Sequence, residues 1–268
     1  MEPSPLEAWR DTLQELGVLG LVREPRPAPE PAPAPFRRIE APRPQPAPPA
    51  RAQAPVPTRY EPPTDAVGCP PPGAVAGAAT LADLEQAIQG CLKCPLGPGR
   101  IRFVFGEGHP AARLMFIGEG PGRDEDLQGR PFVGKAGELL DRMIGALGLG
   151  RGDTYIANVV KCRPPDNRTP LPEEARACLG YLHRQIELIQ PAVIVTLGAT
   201  PLRELLGVAE GITRIRGQWR QLELGGRRIP VMPTFHPAYV LRQYTQDVRR
   251  AVWEDLQAAK AWIDKAEA

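Results

Sequence analysis

No run of about 18 apolar residues occurs in the 268-residue chain, so no segment is expected to cross a membrane as a helix. The first residues, MEPSPLEAWRDTLQEL, carry acids and lack an apolar h-region, so a secretory signal is not expected either. Charge of one sign is also missing. Lys and Arg number 33 against 31 Asp and Glu, a net +2, which allows nucleic-acid binding without demanding it. Cysteine is too scarce for a disulfide scaffold. Five in a chain of this length point instead to metal binding or catalysis in a reducing compartment. The Gly-rich GEGPGRDED at 118–126 lacks a Gly-Lys-Ser/Thr ending, which excludes a Walker-type phosphate loop. No internal repeat is seen.

Proline, by contrast, is abundant and uneven: 18 of the 34 fall between Glu24 and Pro72. That distribution divides the chain into three parts. In residues 1–23, Leu6, Trp9, Leu13 and Leu16 recur at helical spacing behind Ser4-Pro5, a fitting N-cap and first helical residue. A helix this short is marginal alone in water. With no core to join, the helix at 4–16 reads as a docking peptide for a protein partner, Trp9 its anchor. Residues 24–79 read as an extended, disordered Pro-rich linker, with Cys69 an uninvolved thiol. Residues 80–268 form the foldable part, long enough for one sizeable core.

There the pattern alternates. Thr80 caps a helix. Arg113–Gly118, Thr154–Val160 and Ala192–Leu197 read as apolar strands. Ala136–Leu147, Pro172–Ile189, Thr200–Leu206 and Asp247–Lys265 read as helices. Arg220–Leu224 and Arg228–Met232 flank Gly225-Gly226 as a hairpin. Alternating strands and helices imply a single three-layer α/β/α domain around a mostly parallel sheet. Ligands of such sheets sit beyond the carboxyl ends of the strands. The residues expected on that rim are the GEGPG at 118–122, Asn158, the loop from Cys162 to Asn167, Gly198, and Phe235-His236-Pro237.

Cys91-Leu-Lys-Cys94 is joined later by Cys162 and Cys178. A CxxC places two thiolates on one tight turn, and Cys178 lies early in a helix, where the dipole favours a thiolate. Four thiolates suit structural zinc or an iron–sulfur cluster alike. The absence of a second CxxC argues against a zinc ribbon, yet spacing leaves the two metals level.

Four motifs in order are more specific: Gly118–Asp126 (GEGPGRDED), Gly129–Gly137 (GRPFVGKAG), Asn158–Asn167 (NVVKCRPPDN) and Thr234–Tyr239 (TFHPAY). With the four cysteines they closely resemble family 4 uracil-DNA glycosylases, the iron–sulfur branch of that superfamily. The resemblance runs from about Leu81 to Ile263. It implies a [4Fe–4S] cluster on Cys91, Cys94, Cys162 and Cys178. It also implies a monofunctional DNA repair enzyme that flips uracil out of DNA and hydrolyses its N-glycosidic bond.

That chemistry needs a base reader, a stacking platform, an anion stabiliser and a carboxylate near the sugar. By the resemblance, Asn158 reads the base, because an amide matches uracil O4 and N3–H and mismatches cytosine. Phe132 is the platform. Glu119 is the carboxylate that activates water or stabilises the cationic sugar, with Glu125 and Asp126 as weaker alternatives. Gly120 brings backbone N–H groups close to the substrate. His236 donates to uracil O2 as negative charge develops. Asn167 holds a water or a phosphate. Tyr239 and Leu241 supply an apolar wedge and Arg242 a phosphate contact. Apart from the resemblance, Lys135, Arg163, Arg168, Arg214 and Arg216 are candidates to track the backbone, although each taken alone reads as an ordinary surface charge. Two rivals remain at this stage. One is a covalent uracil trap, disfavoured because the loop KCRPPDNRTP carries no His. The other is a non-catalytic metal scaffold linked to a replication or repair partner. A cytoplasmic, nucleoid-associated monomer is expected.

Overall fold

The computed structural model describes residues 70–71 and 73–265. The expected docking helix at 4–16, Cys69 and most of the Pro-rich segment lie outside the described residues.

Among the described residues six strands form one sheet: β1 (Glu107–Gly108), β2 (Leu114–Gly118), β3 (Thr154–Asn158), β4 (Val193–Leu197), β5 (Arg220–Leu224) and β6 (Arg227–Thr234). Their spatial order is β1-β3-β2-β4-β6-β5. Every residue of β2, β3 and β4 is buried. Continuous apolar strands of this kind need cover on both faces, which is the condition of parallel sheets. The central pairs β3–β2, β2–β4 and β4–β6 are parallel. Antiparallel β1 and β5 close the edges. The β5–β6 turn uses Gly225 and Gly226, both at positive φ (57° and 73°), as a two-residue hairpin requires.

Nine α-helices occur among the described residues. On one face of the sheet lie α1 (Ala74–Gly77), α2 (Leu81–Ile88) and α5 (Pro172–Ile189). Leu84, Ile88, Leu182 and Ile186 of this layer share a core with Met115, Ile117, Tyr155 and Ala157 of the strands. The other face receives α4 (Lys135–Ala146), α8 (Pro237–Arg242) and α9 (Gln246–Lys265), through buried Leu140, Ile144, Val240, Val252 and Leu256. Shorter helices α3 (Arg123–Gln128), α6 (Ala199–Leu206) and α7 (Ile212–Ile215) follow strand ends or lie between strands. Thr80 caps α2 as its sequence predicts: Asp83 N–H donates to Thr80 Oγ1 (3.1 Å) and Thr80 N–H to Asp83 Oδ2 (3.0 Å).

Two elements differ from the sequence reading. Ordered structure begins before Thr80, because Ala78 is buried and its carbonyl accepts from Arg184 Nη2 at 2.7 Å. The acidic stretch after Gly122, given no element in the sequence reading, forms α3. Its acids lie in the first turn, where the helix dipole favours them.

Candidate active site

From β2 the chain runs outward to β3, then returns past β2 to β4, so the crevice between β2 and β4 is a topological switch point. Gly118 pairs with Asn158, and Leu197 with Thr234, so the strands end level with one another. A cavity of about 560 Å³ opens beyond them. Glu119, Phe132, Asn158, Asn167, Thr200 and His236 line it, with Gly120, Glu125 and Arg242 among its other walls.

The tight point is Gly118. A Cβ there would lie 2.5 Å from both Asn158 Oδ1 and Phe132 Cζ. The expected reader and platform therefore converge on one spot, and any side chain at 118 would occupy it.

Phe132 is buried and has φ of 51°, a left-handed conformation that costs a non-glycine residue about 1–3 kcal/mol. Its neighbours hold it there. Val133 and Gly134 N–H donate to Glu125 Oε1 at 2.9 and 3.0 Å. The Arg151 guanidinium donates to the carbonyls of Pro131 and Phe132. Four bonds at about 0.5–1.5 kcal/mol each exceed the strain. Gly137 is required below them, since a Cβ would sit 1.9 Å from Phe132 O. Arg151 is itself fixed by Glu107 (2.9 Å) and Asp141 (2.7 Å). The hydrogen bond from Arg130 holds the Glu107 carboxyl down at about 2, with Arg151 adding to it against the effect of burial.

This geometry gives Glu125 a different task from activating water. Its Oε2 accepts from Gly122 N–H (3.0 Å) while Oε1 takes the two bonds of the Phe132 loop. Asp126 likewise accepts from Ile101 and Arg102 N–H and does not line the cavity.

Asn158 ends β3 with 2 % of its surface exposed, and its Oδ1 has no hydrogen-bond partner among the described residues. A buried acceptor left open costs about 1–3 kcal/mol, so its retention at a cavity wall points to a ligand that satisfies it. Its backbone is held from behind. Lys161 Nζ, fully buried, donates to Asn158 O (2.9 Å) and to Gln185 Oε1 (2.6 Å).

His236 begins α8 and caps it: Ala238 N–H donates to Nδ1 at 3.1 Å. With Nδ1 an acceptor, the proton of the neutral ring belongs on Nε2. Burial, then Arg242, push the imidazole down to about 4, with Glu125 opposing. Its ring lies 5.6 Å from that of Phe132, centroid to centroid. Beyond it, Arg242 lines the cavity and Leu241 is exposed, whereas Tyr239 stacks on Phe235 at 4.9 Å and does not line the cavity.

Glu119, just past β2, accepts at Oε2 from Thr200 Oγ1 at 2.6 Å. Asn167 is exposed on the opposite wall, at φ 55°, and accepts from Arg163 Nε at 2.7 Å. Arg168 also lines the cavity, bidentate to buried Glu174 at 2.7 and 2.8 Å. Of the other expected cations, Lys135 and Arg214 are exposed. Arg216 pairs with buried Asp255 and so ties α9 to the segment between α7 and β5. Sequence reasoning missed Thr200, Arg151, Gly137 and Lys161. Gly137 and Lys161 lie inside two of the four motifs, Thr200 two residues past the rim glycine Gly198, and Arg151 left no signal.

Cys91, Cys94, Cys162 and Cys178 are all free thiols. They lie close enough to feel one another's charge. Polar hydrogens face them: Lys93 N–H donates to Cys91 Sγ (3.4 Å) and Arg100 Nη1 to Cys162 Sγ (3.5 Å). Backbone N–H groups of Leu96 and Gly97 address Cys94, and that of Lys161 addresses Cys178. Burial pushes the Cys162 thiol up to about 11 and that of Cys178 up to about 12. Among the described residues no three His, Cys, Asp or Glu side chains close on a point fit for a single ion. No helix among them is long and apolar enough to cross a membrane.

Residues 105–257 match the model of the uracil DNA glycosylase superfamily. The chain is 49% identical over 186 residues to the type-4 uracil-DNA glycosylase of Thermotoga maritima, covering 68% of this chain and 94% of that protein. Identity to the type-4 enzyme of Archaeoglobus fulgidus is 45% over 166 residues, 60% of this chain and 83% of the relative. The type-5 uracil-DNA glycosylase of Thermus thermophilus is 33% identical over 166 residues, 55% of this chain and 73% of its own length.

Proposed function

The chain belongs to the uracil DNA glycosylase superfamily, and from that premise we infer that it is a DNA repair enzyme that excises uracil. It hydrolyses the N-glycosidic bond of a flipped deoxyuridine and leaves an abasic site. The single observation that best supports the site assignment is Asn158, a cavity-lining residue beside Phe132 whose Oδ1 is buried without a partner among the described residues.

In this reading the flipped uracil lies against Phe132, stacking that is worth about 1–3 kcal/mol per base. Asn158 accepts from N3–H and donates to O4. Cytosine presents the reverse pattern and would leave two buried groups unpaired, which suffices to reject it. As the glycosidic bond breaks, the sugar becomes cationic and the base leaves as an anion. His236 Nε2–H donates to O2 and carries no charge of its own, because burial keeps the ring neutral. The Glu119 carboxylate stabilises the cationic sugar and orients the water that attacks it. Asn167 is placed to hold that water or the adjacent phosphate. Leu241 enters the vacated stack and Arg242 meets a phosphate. Uracil-containing DNA is the substrate, and the reducing cytoplasm near the nucleoid is the compartment we assign.

Four thiols accommodate zinc and a [4Fe–4S] cluster alike, and the resemblance to the iron–sulfur branch of the superfamily favours the cluster. Four thiols with N–H groups aimed at sulfur make a thiolate cradle, and buried Lys161 beside Arg100 supplies balancing positive charge. Bound there, the cluster would supply iron–thiolate bonds that tie the segment before β1 to the loop after β3 and to α5.

The test of function is strand nicking. A labelled single-stranded oligonucleotide with one uracil, treated with the protein and then hot alkali, is expected to break at uracil alone, beside an uncut thymine control. No break from iron-loaded protein, on single-stranded or duplex DNA, would leave only the scaffold reading. His236→Ala is expected to slow excision about 10²–10³-fold, as loss of one oxyanion donor does. The sign of its pH dependence follows from a folded value of about 4, below the ordinary value of about 6.5. Between those values the unfolded chain binds the proton more readily. The stability due to the neutral, capping His236 is therefore complete above about 6.5 and lost as pH falls toward about 4. A plot of Tm against pH should be flatter over that window in His236→Asn than in the wild type.

A further inference from the structure

We propose that Thr200 is a positioning residue that fixes which oxygen of Glu119 faces the substrate. The proposal rests on the reading of Glu119 as the carboxylate that acts beside the sugar.

The geometry spans the switch point. Glu119 follows β2, and Thr200 is the second residue of α6 after β4, so their 2.6 Å bond crosses the crevice from one wall to the other. Thr200 is 5 % exposed and its side chain reaches into the cavity wall. A hydroxyl donating to a carboxylate makes a short, charge-assisted bond, stronger than a neutral one. The start of α6 adds the positive end of the helix dipole on the same side. At that start Pro201 has no N–H to offer, so the Thr200 hydroxyl takes over a donor's task there.

The consequence is a division of labour between the two oxygens. Oε2 is committed to Thr200, while Oε1 has no partner among the described residues and remains for water or the sugar. Without the hydroxyl, a glutamate on a Gly-flanked turn would sample several rotamers, and only some present an oxygen to the substrate. Gly118 and Gly120 on either side offer no side-chain packing to restrain it. Loss of Thr200 should therefore reduce the rate of the bound complex more than its affinity.

The experiment compares Thr200→Val, Thr200→Ser, Glu119→Gln and the double variant T200V/E119Q in steady-state and single-turnover excision of uracil, with Tm recorded for each. Valine keeps the branched shape in the buried site, so Tm should stay close to that of the wild type. Expected are a fall in kcat of about tenfold or more for T200V with KM within about twofold, and near-full activity for T200S. The double variant should be no slower than E119Q alone, since the two residues act as one unit. Wild-type kcat in T200V, equal damage in T200S, or additive losses in the double variant would each overturn the proposal. An E119Q variant that retains full activity would instead overturn the reading of Glu119 itself, and the proposal with it.

Discussion

Replacing Asn158 with alanine is expected to lower kcat/KM for uracil excision by about 10²–10⁴, with no loss of thermal stability. The size follows from two hydrogen bonds made to a base that gains negative charge as it leaves. At about 1.5–3 kcal/mol each, they amount to two to four powers of ten in rate. The stability half of the prediction has the opposite sign to the usual core truncation. Asn158 Oδ1 is buried without a partner, so the folded protein already carries the cost of dehydrating it. Alanine removes that cost and leaves a space that opens onto the cavity rather than a sealed void. Tm should hold or rise by a few degrees, as measured by calorimetry beside the nicking assay. If activity survives, Asn158 does not read the base. If Tm drops by many degrees, the amide is a structural group whose partner is a bound water.

Loss of a cysteine ligand should act in the reverse way, on the fold first and on activity as a result. In Cys178→Ser, purified protein is expected to lose its visible absorbance and most of its iron, Tm should fall by more than about 10 °C, and excision should cease. Binding free energy of a structural metal is folding free energy, on the order of 10 kcal/mol for a thiolate site. For a domain of this size each kcal/mol is worth about 2–4 °C. The effect would reach the cavity through α5. Cys178 lies one turn beyond Glu174, which clamps Arg168 on the cavity wall. Limited proteolysis should then cut within 162–171, a segment intact in the wild type. Stoichiometric zinc in the wild-type protein, or an unchanged Tm in the variant, would refute the cluster assignment.

Much of this protein was legible without coordinates, for identifiable reasons. The strands at 114–118, 154–158 and 193–197 are short and mostly apolar, and burial on both faces leaves few other solutions. Thr80, Pro172 and Gly225-Gly226 act on their own neighbours, so caps and turn followed from local chemistry. The rim residues Glu119, Asn158 and His236 lie at or just past strand ends, and the parallel sheet brings those ends together. What only the tertiary structure decided concerns residues far apart in the chain. Arg151 reaches back across 19 positions to hold Phe132, and Thr200 across 81 to hold Glu119. Glu125 and Asp126 look alike in sequence, yet one clamps the platform and the other pins the loop at 101–102. Tyr239 packs on Phe235 although Ala238 and Arg242 of the same helix line the cavity. A side chain's reading depends on its own chemistry and period, which the sequence carries. Its partner depends on where the sheet order places other strands, and no local pattern encodes that order.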